Sequence, residues 1–224
     1  MTSDPHRNSP VLRAGLPLAE AAGAVILLHG RGGSAEDILS LAREFDGPRL
    51  AYLAPEASGN SWYPFSFLSP IEKNEPWLTS ALQKIQRTIQ SIAEAGIATE
   101  RVVLCGFSQG ACLATEYVAR HARRYGGLIA FTGGLIGPPD ADLSHSGDLA
   151  GTPVFFGSGD PDPHVPWKRV QQSAETLTEM GASVIVKCYQ GRPHTITHEE
   201  IKFAKSLIRG ALGDKAVASF RGPN

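Results

Sequence analysis

The 224-residue chain has only three cysteines, Cys105, Cys112 and Cys188, widely spaced and with no C-x-x-C pair. An odd, scattered set argues against a disulfide framework and fits reduced thiols in a cytoplasmic protein. No apolar run approaches the ~20 residues of a spanning helix, and the opening residues lack the apolar core of a secretory leader. Cytoplasmic residence without integral membrane association is therefore expected. Charge is scarce: charged residues make up 19 %, and 21 basic against 22 acidic side chains leave a formal net charge of -1. That balance gives no electrostatic case for nucleic acid or an anionic membrane surface as partner. Nucleotide signatures are missing as well. "HGRGG", His29 to Gly33, is not G-x-G-x-x-G, and no G-K-[ST] follows it. No internal repeat, low-complexity tract or long linker divides the chain, so a single domain is expected, with residues 1–9 and 214–224 as frayed ends.

What is present is a regular alternation, and at 42 % hydrophobic the chain can fill a core. "AVILLHG" (24–30), "RLAYLAP" (49–55), "RVVLCGF" (101–107), "GLIAFTGG" (127–134), "TPVFFGSG" (152–159) and "ASVIVKCYQ" (182–190) read as strands, most of them apolar throughout as in strands buried on both faces. "PVLRAGLPL" (10–18) reads as an added edge strand. Between them lie helical patterns. "SAEDILSLAREF" (34–45) carries a Ser34–Asp37 capping box, with Ile38, Leu41 and Phe45 on one face. Leu78, Leu82, Ile85, Ile89 and Ile92 recur at helical spacing after Pro76, up to Gly96. Further helices are expected over 109–123, 166–180 and 198–212, the last with Ile201, Ala204, Leu207 and Ile208 inward. Strand and helix in this order predict an α/β fold, a mostly parallel sheet covered on both faces.

"GFSQG", Gly106 to Gly110, matches G-x-S-x-G between an apolar strand and a helix. That context predicts a sharp strand-to-helix turn that lifts the Ser108 hydroxyl above the carboxyl end of the sheet. A serine hydroxyl needs a base, and the base needs an acceptor on its other nitrogen. On such a fold the chain order is serine, acid, histidine. Of the seven histidines, His194 follows the last strand across a short turn and is expected to be the base. The acid should follow "TPVFFGSG", where Asp160 and Asp162 both qualify; chain position does not choose between them. For the oxyanion, Gln109 offers a backbone N–H directly after the serine, and the N–H of Arg31 in the early glycine-rich loop is the natural second donor. An aromatic loop over 56–74 holds Trp62, Tyr63, Phe65 and Phe67; Trp62 and Phe65 are expected to line the substrate pocket, a reading that competes with plain core packing or an oligomer surface. Cys105 and Cys112 flank the turn as small core residues.

"LLHGRGG", "GFSQGA", "DPHVP" and a histidine after the last strand, in this order, resemble the landmarks of the phospholipase/carboxylesterase family of α/β-hydrolases, which includes the acyl-protein thioesterases. The resemblance covers about residues 25–194. It implies an α/β-hydrolase fold, no cofactor and no metal, a small-molecule ester as substrate, and a homodimer. It implies cleavage of short- to medium-chain carboxylic esters, with thioesters or lysophospholipids as further substrates. It also implies that the acid is the aspartate three residues before a Val-Pro pair, here Asp162 before Val165 and Pro166. The chain departs from that family at Arg31, where the thioesterases usually carry an uncharged residue, and at Arg192-Pro193, where small or apolar residues usually precede the histidine.

Two other readings compete. Asp160, Asp162 and His164 alternate like the ligands of a metal-dependent hydrolase, although prolines interrupt them. A non-enzymatic ligand-binding module on a hydrolase scaffold is the third, since fold does not dictate function.

Overall fold

The computed structural model describes residues 4–45, 47 and 49–213. Seven strands form one sheet: β1 (Val11–Gly15), β2 (Gly23–Leu28), β3 (Leu50–Pro55), β4 (Val102–Phe107), β5 (Gly127–Phe131), β6 (Pro153–Asp160) and β7 (Ser183–Gln190), in the order β1-β3-β2-β4-β5-β6-β7. Only the β1–β3 pairing is antiparallel, with Val11 opposite Pro55. All other neighbours run parallel, as strand–helix–strand connections demand. Every residue of β2 and β3 is buried, which is why these strands read as unbroken apolar runs.

Alternate residues of each strand face opposite layers. Ala24, Ile26, Leu28 and Leu104 pack against α3 (Trp77–Glu94), α4 (Gln109–Arg120) and α5 (Trp167–Glu179). Val25, Leu27, Val103 and Phe155 pack against α1 (Ala35–Leu39), α2 (Leu41–Phe45) and α6 (His198–Leu212). No described helix is long and apolar enough to cross a membrane.

Three expectations are corrected. The helix expected over 34–45 starts with the Ser34–Asp37 capping box but breaks at Ser40. There the Ser40 hydroxyl donates to the Asp37 carbonyl at 2.6 Å and competes for a main-chain acceptor. The helix expected to reach residue 123 ends at Arg120, and the Tyr125 hydroxyl takes up the His121 carbonyl. Finally, residues 4–9 are docked rather than frayed: His6 is fully buried, Asp4 pairs with Arg87, and Lys84 donates to the Ser9 carbonyl. Helix α3 presents those polar partners on the flank of its apolar face. The tail from residue 214 lies outside the described residues.

Candidate active site

The turn between β4 and α4 is as tight as its sequence requires. Ser108 sits at φ 53°, ψ -117°, a left-handed conformation that costs a non-glycine residue strain. A Cβ on Gly106 would lie 2.4 Å from the Gly110 carbonyl oxygen, and one on Gly110 2.2 Å from the Leu28 carbonyl oxygen. The strain is held in place by the Ser108 N–H donating to the Phe131 carbonyl at 2.9 Å. Ser108 is also the N-cap of α4, whose dipole favours negative charge at this point.

His194 and Asp162 converge on this serine. Nε2 of His194 is 2.9 Å from Ser108 Oγ, and Nδ1 is 2.8 Å from Asp162 Oδ2. The side chain of Asp162 is fully buried and that of His194 largely so. Asp162 splits its two oxygens: Oδ1 accepts the N–H groups of His164 and Val165, both at 2.9 Å, while Oδ2 faces the imidazole. Burial pushes its pKa up, but the bonds from His194, His164 and Val165 outweigh burial and leave it below the usual aspartate value. Asp162 thus also makes the side-chain contact that closes this turn, and Asp160 ends β6. His164 is exposed and meets the His194 ring edge-on, with centroids 4.9 Å apart. No group of three or more His, Cys, Asp or Glu side chains converges as a metal site among the described residues. Cys105 and Cys112 are buried; burial pushes both thiols up, that of Cys112 to about 12.

The loop bearing Arg31 is fixed on both sides. Gly32 N–H donates to Asn60, and the Gly30 carbonyl accepts from Gly33 N–H and stands 2.8 Å from Nδ1 of the His29 ring. Gln109 is the first helical residue of α4, so its N–H has no acceptor within the helix.

The aromatic loop corrects one expectation. Trp62 is 0 % exposed, with its indole N–H donated to the His29 carbonyl at 2.9 Å. It is a buried support beneath the Arg31 loop, not a wall open to substrate. Its flanking polar neighbours hid this from a reading of the sequence. Phe65, in contrast, is 53 % exposed. Two side chains hold the loop's backbone. The Arg31 guanidinium donates to the carbonyls of Tyr63, Pro64 and Phe65 and to Ser61 Oγ, at 2.6–3.1 Å. The Gln109 amide accepts from Trp62 N–H and donates to the Tyr63 carbonyl.

Residues from distant parts of the chain, missed in the sequence, complete the frame. His6 lies against Trp62 and Trp77, accepts the Ser58 N–H on Nδ1 and donates from Nε2 to the Trp62 carbonyl. That is the bonding of a neutral imidazole. Burial lowers its pKa, with Lys84 and Arg87 acting the same way, against the Trp62 bond and Asp4. The unfolded chain therefore takes up a proton that the folded one refuses. Stability from this group is present above the ordinary histidine value, about 6.5, and is lost as pH falls towards the lower folded value. Thermal denaturation should show Tm falling more steeply from about pH 7 to 5 in the wild type than in His6→Gln, by about 2–4 °C for each kcal/mol involved. Equal slopes would remove His6 from this role.

A seven-stranded, mostly parallel sheet with this strand-to-helix turn defines an α/β-hydrolase. The phospholipase/carboxylesterase family model matches residues 16–212, and the chain belongs to that family. It is an enzyme of the carboxylesterase class. A phospholipase/carboxylesterase from Dyadobacter fermentans DSM 18053, solved as a crystal structure, is 47 % identical with a TM-score of 0.85, over 90 % of this chain and 96 % of that one. A probable carboxylesterase, SOBER1-like, from Arabidopsis thaliana is 27 % identical over 87 % of this chain and 81 % of its own length. Acyl-protein thioesterase 1 from Saccharomyces cerevisiae is 26 % identical over 90 % of this chain and 98 % of its own.

Proposed function

We propose that the protein hydrolyses carboxylic esters through an acyl-enzyme on Ser108. His194 takes the hydroxyl proton as Oγ attacks the carbonyl carbon, then gives it to the departing alcohol. Asp162 holds the imidazole with its proton on Nδ1, leaving Nε2 free to accept. The N–H groups of Arg31 and Gln109 receive the oxyanion, and the α4 N-terminus favours the same charge. Water, activated by His194, then cleaves the acyl-enzyme and restores the serine. The observation that carries this reading is the unbroken relay Ser108–His194–Asp162, at 2.9 and 2.8 Å.

Short- to medium-chain acyl esters are the substrate class, with thioesters and lysophospholipids as extensions, and exposed Phe65 as an apolar contact for the acyl group. A homodimer belongs to this reading through family resemblance alone, and a cytoplasmic location through the few, scattered cysteines. A fluorophosphonate probe should label wild-type protein on Ser108 and leave Ser108→Ala unlabelled. A panel of p-nitrophenyl esters from C2 to C12, with a thioester and a lysophospholipid, should show turnover of at least the shorter esters. Absence of labelling and of turnover across the panel would point instead to a binding module.

A further inference from the structure

The base loop rests on a buried ion pair. Arg192 and Glu200 have side chains 5 % and 0 % exposed, and Arg192 Nη1 lies 3.0 Å from Glu200 Oε2. Arg192 stands two residues before His194. Its Nη1 also donates to the carbonyl of Thr195, so one guanidinium brackets His194 on both sides along the chain. Its Nη2 donates to Thr132 Oγ1 at 2.6 Å. Thr132 directly follows Phe131, whose carbonyl receives the Ser108 N–H. Thr132 is itself fully buried at φ 55°. Glu200 anchors the other end: Oε2 accepts the N–H and the hydroxyl of Thr197, closing the capping box that starts α6.

Strand β6 is shaped around this pair. A Cβ on Gly157 would lie 2.4 Å from Glu200 Oε1, and one on Gly159 2.7 Å from the Arg192 carbonyl oxygen. Yet the pair is poor as a source of stability. Burying two charges costs several kcal/mol per ion, and apolar replacement of such pairs is often neutral or stabilising. Arg192 Nε and Glu200 Oε1 are also buried without partners, which adds to that cost. What the pair supplies is geometry: it joins the base loop, the start of α6 and the strand end that holds the nucleophile's backbone.

We propose that Arg192 and Glu200 are positioning residues that set His194 against Ser108; the proposal rests on the esterase reading above. Neither touches the reacting atoms. A displacement of about 1 Å at a catalytic group can cost about 100-fold in rate, and loosening this bracket displaces the base without altering the acyl contact. The effect therefore falls on kcat and not on KM.

The test is the double variant Arg192→Met/Glu200→Gln, which leaves no uncompensated buried charge and keeps a residue that can complete the capping box. Steady-state kinetics with p-nitrophenyl butyrate should show kcat reduced about 30- to 100-fold with KM within about threefold of wild type. Fluorophosphonate labelling should slow in proportion, while Tm stays within a few degrees. Arg192→Lys retains the charge but not the two-armed reach to Thr132 and Thr195, and should recover part of the lost kcat. A folded double variant with kcat within twofold of wild type overturns the proposal. If the double variant does not fold, Thr132→Val removes the Nη2 acceptor alone; it should lower kcat about tenfold at unchanged KM, and wild-type kcat there overturns the proposal equally. Ser108→Ala, run alongside, separates the two levels. Retained turnover in that variant defeats the esterase reading itself, whereas a dead Ser108→Ala beside a fully active double variant defeats only the positioning role.

Discussion

Replacing Ser108 by alanine should lower kcat for p-nitrophenyl butyrate by about four to six orders of magnitude, equivalent to about 5–8 kcal/mol of barrier, under the proposed triad mechanism. The size follows from how the triad acts. Among the described residues His194 Nε2 is hydrogen-bonded to no hydroxyl other than Ser108 Oγ, so removing Oγ should remove the covalent route and leave the base without a task. The two cysteines near the turn cannot stand in, because both are buried and their thiols are pushed up. The residual rate should come from the proposed oxyanion donors and substrate binding, which are untouched, so KM should move little. Alanine keeps the backbone, although φ 53° is strained for it as it is for serine, so Tm should change only slightly. Purified Ser108→Ala with more than about a tenth of wild-type kcat would end the covalent mechanism.

Asp162→Asn should cost about three to four orders of magnitude in kcat, and Asp160→Asn no more than a few-fold. An asparagine at 162 can keep the acceptor that organises the turn through His164 and Val165. It then presents an NH2 group to Nδ1 of His194. The imidazole answers by moving its proton to Nε2, the nitrogen that must accept from Ser108. Fold and stability therefore survive while the chemistry stops. At 160 the relevant contact is main-chain, the Asp160 carbonyl accepting from Gly191 N–H at 2.9 Å, and asparagine retains it. Kinetics on both variants decide the matter, and the reverse ranking would move the acid to Asp160. The lowered pKa of Asp162 adds a sign: its stabilising contribution is present above the ordinary aspartate value and is lost as pH falls through the lower folded value.

The fold was legible because parallel strands buried on both faces must be continuously apolar, and β2, β3 and β4 are. The turn around Ser108 was legible for a steric reason, since only glycine fits at 106 and 110. The aspartate was not: two acids two residues apart differ only in which one reaches His194, and the Val-Pro resemblance, not spacing, singled out Asp162. The frame escaped altogether. His6 and Trp62 are 56 positions apart and meet only in three dimensions. Trp62 reads as a pocket residue in a loop of Ser, Asn, Tyr and Pro, because an aromatic side chain in polar company gives no sign of which way it turns. Arg192 read as a departure, and its partner carried a signal that was available. Thr197 to Glu200 is T-x-x-E ahead of an apolar helix, a capping box that places Glu200 at the start of α6.

The grip of Arg31 on the aromatic loop has a consequence for how this enzyme can change. The guanidinium holds carbonyl oxygens of Tyr63, Pro64 and Phe65, not their side chains. Every amino acid offers that same carbonyl. The rigidity of the loop is thus independent of the residue displayed on it, and position 65, whose side chain is exposed, can be altered without loosening its own support. Support and displayed side chain are inherited separately along this loop, which, under the proposed esterase reading, makes residue 65 the natural place for selection, or a protein engineer, to retune the acyl preference.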